Sequence, residues 1–164
     1  ASDVYKRQSL LWYMPNVLTQ MPQTRAFTMQ MTVTLAADGD GDEAGIAGMG
    51  HDYSALALHR GAAGNELVLY RGKVTARTAE GVAEEEGVLR LPFAGDTVTL
   101  RLYFEDGGTV HYAYELNGQE TLLDGSFPAA KSTWSGAKPA LFARNTANRA
   151  GGQGRFGAVS FECL

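Results

Sequence analysis

Residues 43–59 read EAGIAGMGHDYSALALH and decide the fold, because two short apolar runs rich in Gly and Ala flank the polar residues His51, Asp52 and Tyr53. A helix interior would lose about 1 kcal/mol at each of the three glycines relative to Ala. A strand pair accommodates Gly at bulges and close backbone approaches. The pattern therefore predicts two buried strands with a turn at the polar residues. Because exposed side chains on a rigid sheet often form binding surfaces, this turn is the first candidate functional site.

Further strands are predicted outward from this stretch. In residues 26–35, AFTMQMTVTL, apolar residues alternate with Thr and Gln, as in a half-buried strand. Asn117 and Gly118 predict a type I′ hairpin turn, and EDGG at 105–108 predicts another turn. Six further segments bounded by Gly, Asp or Asn are also predicted to be strands: 66–70, 88–93, 97–104, 110–116, 140–143 and 156–161. About nine short strands without a sustained helical pattern predict an all-β protein, a two-sheet antiparallel β-sandwich.

Composition limits the partners. The formal net charge of −4 and the pI near 5.3 argue against nucleic acid and anionic membranes, which need a concentrated basic face. The apolar runs are shorter than the roughly 20 residues of a membrane span, so a soluble domain is expected in the cytoplasm, the periplasm or outside the cell. Cys163 is the single cysteine and excludes an internal disulfide. Residues 1–10 are interpreted as a polar tail or linker remnant without function, and residues 11–164 as one domain.

Neither a metal nor a cofactor is predicted. The acidic run DGDGDE at 38–43 begins like a calcium loop, but the later positions do not match, so a solvated turn is expected and weak calcium binding is the alternative. The acidic residues 84–86 are expected to form a solvated loop. His51, His59 and His111 form no i, i+4 pair, and the last two are expected on partly exposed strand faces.

An autonomous catalytic site is not expected. No G-x-S-x-G elbow is present, and no strand carries the E-x-D carboxylates that glycoside cleavage in a sandwich would use. The remaining chemistry is binding: aromatic faces stack on pyranose rings, and polar side chains hydrogen-bond to sugar hydroxyls. The candidates for stacking are Trp12, Tyr53, Tyr70, Tyr103, Tyr112, Tyr114 and Trp134, with Asp52, Glu115, Arg144 and Asn145 for hydrogen bonds. Packing inside the sandwich is favoured for each aromatic except Tyr53, which lies at the predicted turn.

Three stretches carry a family resemblance: PNVLTQMPQTRAFTMQMTVTL at 15–35, AGIAGMGHDYSALAL at 44–58 and WSGAKPALFARN at 134–145. In order and spacing they resemble the C-terminal concanavalin A-like β-sandwich of family 43 glycoside hydrolases, the β-xylosidase and α-L-arabinofuranosidase group. The resemblance implies a catalytic five-bladed propeller upstream, which carries the acid and base residues. It also implies that a loop of the sandwich reaches the mouth of the active site. By motif position that loop contains His51, Asp52 and Tyr53, the expected substrate-binding residues.

The resemblance further implies that this chain is a fragment whose opening strands are missing. Its first interpretation is therefore an accessory domain that packs on the absent propeller and helps to bind xylo- or arabino-oligosaccharides. The alternatives are an independent xylan-binding module and, less favoured, a complete small sandwich enzyme or lectin.

Overall fold

In the computed structural model, described residues are 10–13, 17–20, 24–74, 83–129, 137–147 and 149–164. They form one short 3-10 turn, Leu11–Tyr13, and thirteen strands. The strands are β1 (Val17–Thr19), β2 (Phe27–Ala36), β3 (Asp42–Met49), β4 (Asp52–Gly61), β5 (Gly64–Val74), β6 (Ala83–Pro92), β7 (Thr97–Phe104), β8 (Thr109–Leu116), β9 (Gln119–Leu122), β10 (Phe127–Pro128), β11 (Lys138–Asn145), β12 (Gln153–Phe156) and β13 (Ser160–Cys163). Among these described residues, no helix is long and apolar enough to cross a membrane.

The strands form two antiparallel sheets. The six-stranded sheet has the order β1-β11-β3-β4-β5-β6. The seven-stranded sheet has the order β10-β8-β7-β2-β12, with β13 also paired to β2 and β9 to β8. The all-β, two-sheet sandwich predicted from the sequence is therefore confirmed.

The main core lies between the sheets. It contains alternate residues of β2 and β7, such as Met31, Val33 and Leu100, together with Ile46 and Leu56 of the six-stranded sheet. Hydrogen bonds of a buried tyrosine cross this core. The Tyr112 hydroxyl of β8 donates to the Ser54 carbonyl oxygen at 2.8 Å and accepts from the Gly48 N–H at 3.1 Å. These bonds fix the lateral position of the two sheets.

Strands β3, β4, β5 and β11 of the six-stranded sheet are largely buried on both faces. The face toward the seven-stranded sheet is called the inner face here, and the opposite one the outer face. A second apolar cluster covers the outer face: Leu11, Ala47, Tyr53, Ala55, Ala57, Val68, Tyr70, Ala140 and Phe142. Strands buried on both faces lose the alternation of apolar and polar residues. This explains why residues 43–59 read as continuous apolar runs.

Several predicted elements need correction. Residues 156–161 do not form one strand, because β12 ends at Phe156 and β13 begins at Ser160. The acidic residues 84–86 lie in β6 rather than in a loop, so that prediction is wrong. The short strands β1, β9 and β10 were not predicted. The hairpin turn is confirmed, since Asn117 and Gly118 have φ values of 53° and 79° between β8 and β9.

Candidate functional site

The predicted turn lies at one end of the six-stranded sheet. Gly50 and His51 connect β3 to β4, and Asp52 and Tyr53 begin β4. The structure brings a further aromatic residue to this place. The Trp12 ring lies 6.3 Å from the Tyr53 ring in a stacked arrangement and 5.9 Å from the His51 ring, edge on. The turn is therefore an aromatic corner made by Trp12, His51 and Tyr53.

Tyr53 is not an exposed stacking surface. Its residue is 1% exposed, and its ring lies across Gly72 of β5, where an added Cβ would be 2.0 Å from the ring atom Cζ. The hydroxyl reaches beyond β5 and donates to the Glu85 Oε2 of β6 at 2.9 Å. Burial, followed by the charge of Glu85 and this hydrogen bond, raises the pKa of the Tyr53 phenol. The expectation of an exposed Tyr53 is wrong because the second apolar cluster covers this face of the sheet.

A cleft of about 400 Å³ adjoins the turn. Its walls are Asp52, Tyr53, Arg71, Gly72, Lys73, Glu84, Glu85, Glu86 and Pro128. Asp52, Lys73 and Glu84 stand opposite one another on β4, β5 and β6. Two residues farther along β5 and β6, Arg71 forms an ion pair with Glu86. The cleft therefore presents both carboxylates and cations, groups that can hydrogen-bond the hydroxyls of a polar ligand.

Glu43 is the centre of a buried polar network on the outer face. Its Oε2 accepts from the Tyr70 hydroxyl at 2.5 Å and from His59 Nδ1 at 2.8 Å, and its Oε1 accepts from Arg144 Nε at 2.5 Å. Burial alone would raise the pKa of the Glu43 carboxyl. The Arg144 charge and the three hydrogen bonds outweigh burial and hold that pKa below its usual value. Glu43 is therefore an anion with its lone pairs used inside the protein.

Arg144 joins this carboxylate to a second one. Its Nη2 lies 2.6 Å from Glu85 Oε1, and its guanidinium carbon lies 4.9 Å from the centre of the Tyr70 ring. The side chains of Arg144 and Glu43 are completely buried, and that of Glu85 is 5% exposed. Although burial acts to lower the pKa of the guanidinium, the charges of Glu43 and Glu85 raise it. Arg144 is thus a permanent cation between two carboxylates.

The reach of Arg144 shows how the sheet is curved. Three strands separate β11 from β6, so a flat sheet would place them roughly 19 Å apart at about 4.8 Å per strand. Two side chains cannot span that distance, so the sheet curls toward its outer face. Short residues along the middle strands, Gly45, Ala55 and Ala57, leave room for long side chains above them.

The network corrects three sequence expectations. The acidic residues 84–86 are not uniformly solvated, because Glu85 points into the outer face. His59 is buried rather than partly exposed. Arg144 is buried and bonded to carboxylates, so it is not placed to bind sugar hydroxyls. His111 does lie on a partly exposed face, where its Nε2 is 3.0 Å from Glu105 Oε1.

The acidic turn at 38–43 is built around Asp42. Its Oδ2 accepts from the backbone N–H groups of Asp38 and Gly39, and its Oδ1 accepts from Asn145 Nδ2 at 2.7 Å. Burial acts to raise the pKa of Asp42, but these hydrogen bonds lower it. The prediction of a fully solvated turn is wrong at Asp42, which is buried. In the part of the chain that the structure describes, no group of three or more His, Cys, Asp or Glu residues could hold a metal ion.

Sequence reasoning did not find this network. Its members lie on five strands, and Arg144 is 101 residues from Glu43. The available signal was a single Glu or Arg at the end of an apolar strand, a pattern that equally suits an exposed strand end. Only the strand order places these ends on one face.

Comparisons with known proteins address the identity of the sandwich. The family model of the β-xylosidase C-terminal concanavalin A-like domain matches residues 5–162. No curated protein matches the chain.

Solved structures of larger enzymes contain a similar sandwich. One is an engineered family 43 glycoside hydrolase with endo-xylanase and exo-arabinofuranosidase activity, with a TM-score of 0.79 and 16% identity over 95% of this chain and 32% of that chain. Another is a bifunctional family 43 protein from Bacteroides eggerthii, with a TM-score of 0.76 and 16% identity over 93% of this chain and 20% of that one. A third is a xylan β-1,4-xylosidase from Bacillus halodurans, with a TM-score of 0.70 and 12% identity over 89% and 29%. At these identities the similarity concerns the fold, and the chain spans a third or less of each.

Proposed function

Because the chain belongs to the family of β-xylosidase C-terminal concanavalin A-like domains, we propose that it is the accessory β-sandwich of a family 43-like glycoside hydrolase. In this proposal the sandwich packs on a catalytic five-bladed propeller that belongs to the same polypeptide. The family match over residues 5–162 carries the proposal. It is supported by the matched structures, in which a sandwich of this fold makes up a fifth to a third of the chain.

The chemistry of the described residues is consistent with an accessory role. Glycoside cleavage needs two carboxyl groups with different pKa values that face one ligand. The two most buried carboxylates of the outer face, Glu43 and Glu85, are instead held by Arg144 and by tyrosine hydroxyls. They stabilise the sandwich and are not directed at a ligand.

We assign the contribution to the active-site mouth to the turn at Gly50 and His51 and to the adjoining cleft. His51 and Asp52 are partly exposed there and stand beside the polar side chains of Lys73 and Glu84. Tyr53 contributes indirectly, because its buried ring packs against Trp12 and supports the turn. The proposed ligands are xylo- or arabino-oligosaccharides, whose hydroxyls match the hydrogen-bonding groups of this cleft.

Hydrolysis assays test the accessory role directly. The chain alone should release no product from aryl β-D-xylopyranosides or aryl α-L-arabinofuranosides. The DNA upstream of the segment that encodes this chain should encode a propeller in the same reading frame. Turnover by the isolated chain would contradict the proposal, and so would an upstream reading frame without a glycosidase domain.

The site assignment has its own test in the full-length polypeptide. Asp52→Ala should raise KM for an oligosaccharide substrate several-fold, whereas Asp106→Ala, in the exposed turn between β7 and β8, should leave it unchanged. Equal kinetics for both variants would overturn the assignment. Affinity electrophoresis of the isolated chain in xylan distinguishes the accessory role from the remaining alternative. Retardation that is lost in Asp52→Ala would indicate an independent xylan-binding module.

A further inference from the structure

The 3-10 turn Leu11–Tyr13 is attached to the outer face of the six-stranded sheet by apolar contacts. The Leu11 side chain is 1% exposed and belongs to the same cluster as Tyr53 and Phe142. The Trp12 ring stacks on the Tyr53 ring and meets the edge of His51. Two successive side chains of this short segment therefore pack on one surface.

The backbone of the segment is bound as well. The Leu11 N–H donates to Glu85 Oε2 at 3.1 Å. The Tyr53 hydroxyl in turn donates to the same Glu85 oxygen at 2.9 Å. Glu85 Oε2 thus accepts both from the segment's Leu11 amide and from the Tyr53 hydroxyl, while the Tyr53 ring packs against Trp12.

The position of Glu85 is fixed from below. Oε2 accepts hydrogen bonds from the Leu11 N–H and the Tyr53 hydroxyl, and Oε1 lies 2.6 Å from Arg144 Nη2. Arg144 is itself bound to Glu43 through Nε. Because both oxygens of Glu85 are held by groups on other strands, the carboxylate is an oriented acceptor for the segment, at a place set by β3, β4 and β11.

We infer that Glu85 and Tyr53 are a docking site for the polypeptide that enters the sandwich, and that residues 10–13 are a fixed strap and not a flexible linker. Flexible linkers are rich in Gly and Ser and bury little. The strap has the opposite character, with the sequence LLWY and a buried leucine. The strap therefore sets the direction in which the chain approaches the turn at His51 and the adjoining cleft. Its consequence for a preceding catalytic domain rests on the proposed function.

Amide hydrogen exchange in the chain tests the docking site. Glu85→Gln removes the charge that faces the Leu11 N–H, yet it leaves Arg144 and Glu43 as a one-to-one ion pair, so the sandwich should still fold. The matched control is Glu86→Gln on the same strand, since the Glu86 side chain is 58% exposed and bonds Arg71. We expect exchange of the Leu11 amide at least tenfold faster in Glu85→Gln and unchanged in Glu86→Gln. Equal exchange in the two variants, or no protection of Leu11 in the unmodified chain, would overturn the inference.

A second variant leaves the ion network untouched. Leu11→Ala, with Trp134→Phe so that Trp12 is the single tryptophan, should increase acrylamide quenching of Trp12 fluorescence about twofold or more. The comparison protein carries Trp134→Phe alone. Unchanged quenching would show that Leu11 does not hold the strap and would contradict the inference.

In the full-length polypeptide, Glu85→Gln should increase the radius of gyration measured by small-angle scattering, because the two domains would separate more freely. Glu86→Gln should not. Rapid exchange of the Leu11 amide in the isolated chain would contradict the docking site, whether or not a propeller precedes the sandwich. If the Leu11 amide is protected but the upstream DNA encodes no propeller, the proposed function is contradicted and the docking site is not.

Discussion

In the middle of the six-stranded sheet both faces are buried, but different interactions hold them. The inner face packs Ile46, Leu56 and other aliphatic side chains against the second sheet. The outer face combines small residues with Tyr53 and Tyr70 and a network in which one cation, Arg144, serves two carboxylates. Burial is similar on both faces, so exposure does not distinguish them. The difference lies in how each face responds to a lost partner.

An apolar layer loses transfer energy and packing when a side chain is shortened, and the effect stays local. A buried ion network loses more, because the remaining charges have no water to replace the lost partner. The outer face should therefore be sensitive to single polar substitutions that would be harmless on an exposed strand. Four predictions test this difference. Near neutral pH the first has the largest expected effect, the second and third have similar effects, and the fourth has the smallest.

Arg144→Met should cause the largest loss. It leaves Glu43 and Glu85 buried without their cation, so the free energy of unfolding should fall by about 3 to 5 kcal/mol in urea titrations. Arg101→Ala is the control, because Arg101 pairs with Glu115 and Glu120 on the partly exposed face of the seven-stranded sheet and should cost less than about 1 kcal/mol. Similar losses in both variants would remove the distinction between the two environments.

Gly72→Ala should destabilise by about 1 to 3 kcal/mol, because the new Cβ would overlap the Tyr53 ring. The same substitution at Gly87 on β6 is the control, since the nearest atom there would lie at 3.5 Å. Gly87→Ala should be close to neutral in thermal unfolding. If Gly72→Ala is equally neutral, Tyr53 does not lie across β5 as described.

Tyr53→Phe should lower the free energy of unfolding by about 1.5 to 3 kcal/mol, the range for a hydrogen bond to a charged group. The ring still packs in this variant, and only the hydrogen bond to Glu85 is lost. Tyr103→Phe is the comparison on the outward surface of the seven-stranded sheet, where the hydroxyl donates to the exposed Glu120. Its effect should be within about 0.5 kcal/mol. Chemical denaturation of both variants measures the difference, and a larger loss for Tyr103→Phe would contradict it.

The pH dependence provides the last prediction, since its effect is absent at neutral pH. The pKa of Glu43 is lowered in the folded protein, so the carboxylate stabilises the fold above its ordinary pKa of 4.5. That contribution is lost as the pH falls through the lower folded value. Between about pH 6 and pH 3, the free energy of unfolding should decrease less steeply in Glu43→Gln than in the unmodified chain. Glu86→Gln should keep the original slope, and parallel slopes for all three proteins would exclude Glu43 as a source of the acid sensitivity.

Local sequence patterns predicted much of the fold because their physical cause is local. Alternation over 97–104 gave the bounds of β7, and Asn117–Gly118 identified a turn whose positive φ angles those residues tolerate. The turn at His51 was also correctly placed, because glycines and a polar interruption ended two apolar runs. The same reasoning failed at β12 and β13, where a three-residue break divides one apolar segment.

The sequence by itself determined the two-layer sandwich, since the periodicity along each strand indicates which side chains face an apolar layer. Only the tertiary structure decided that Tyr53 is buried, that Glu85 differs from its neighbours Glu84 and Glu86, and that Arg144 meets Glu43 and Glu85. These outcomes depend on strand order and on the curvature of the six-stranded sheet, which bring together residues far apart in the chain. Burial of a charge depends on the partner that the fold places beside it, and a linear pattern of residue types contains no information about that partner.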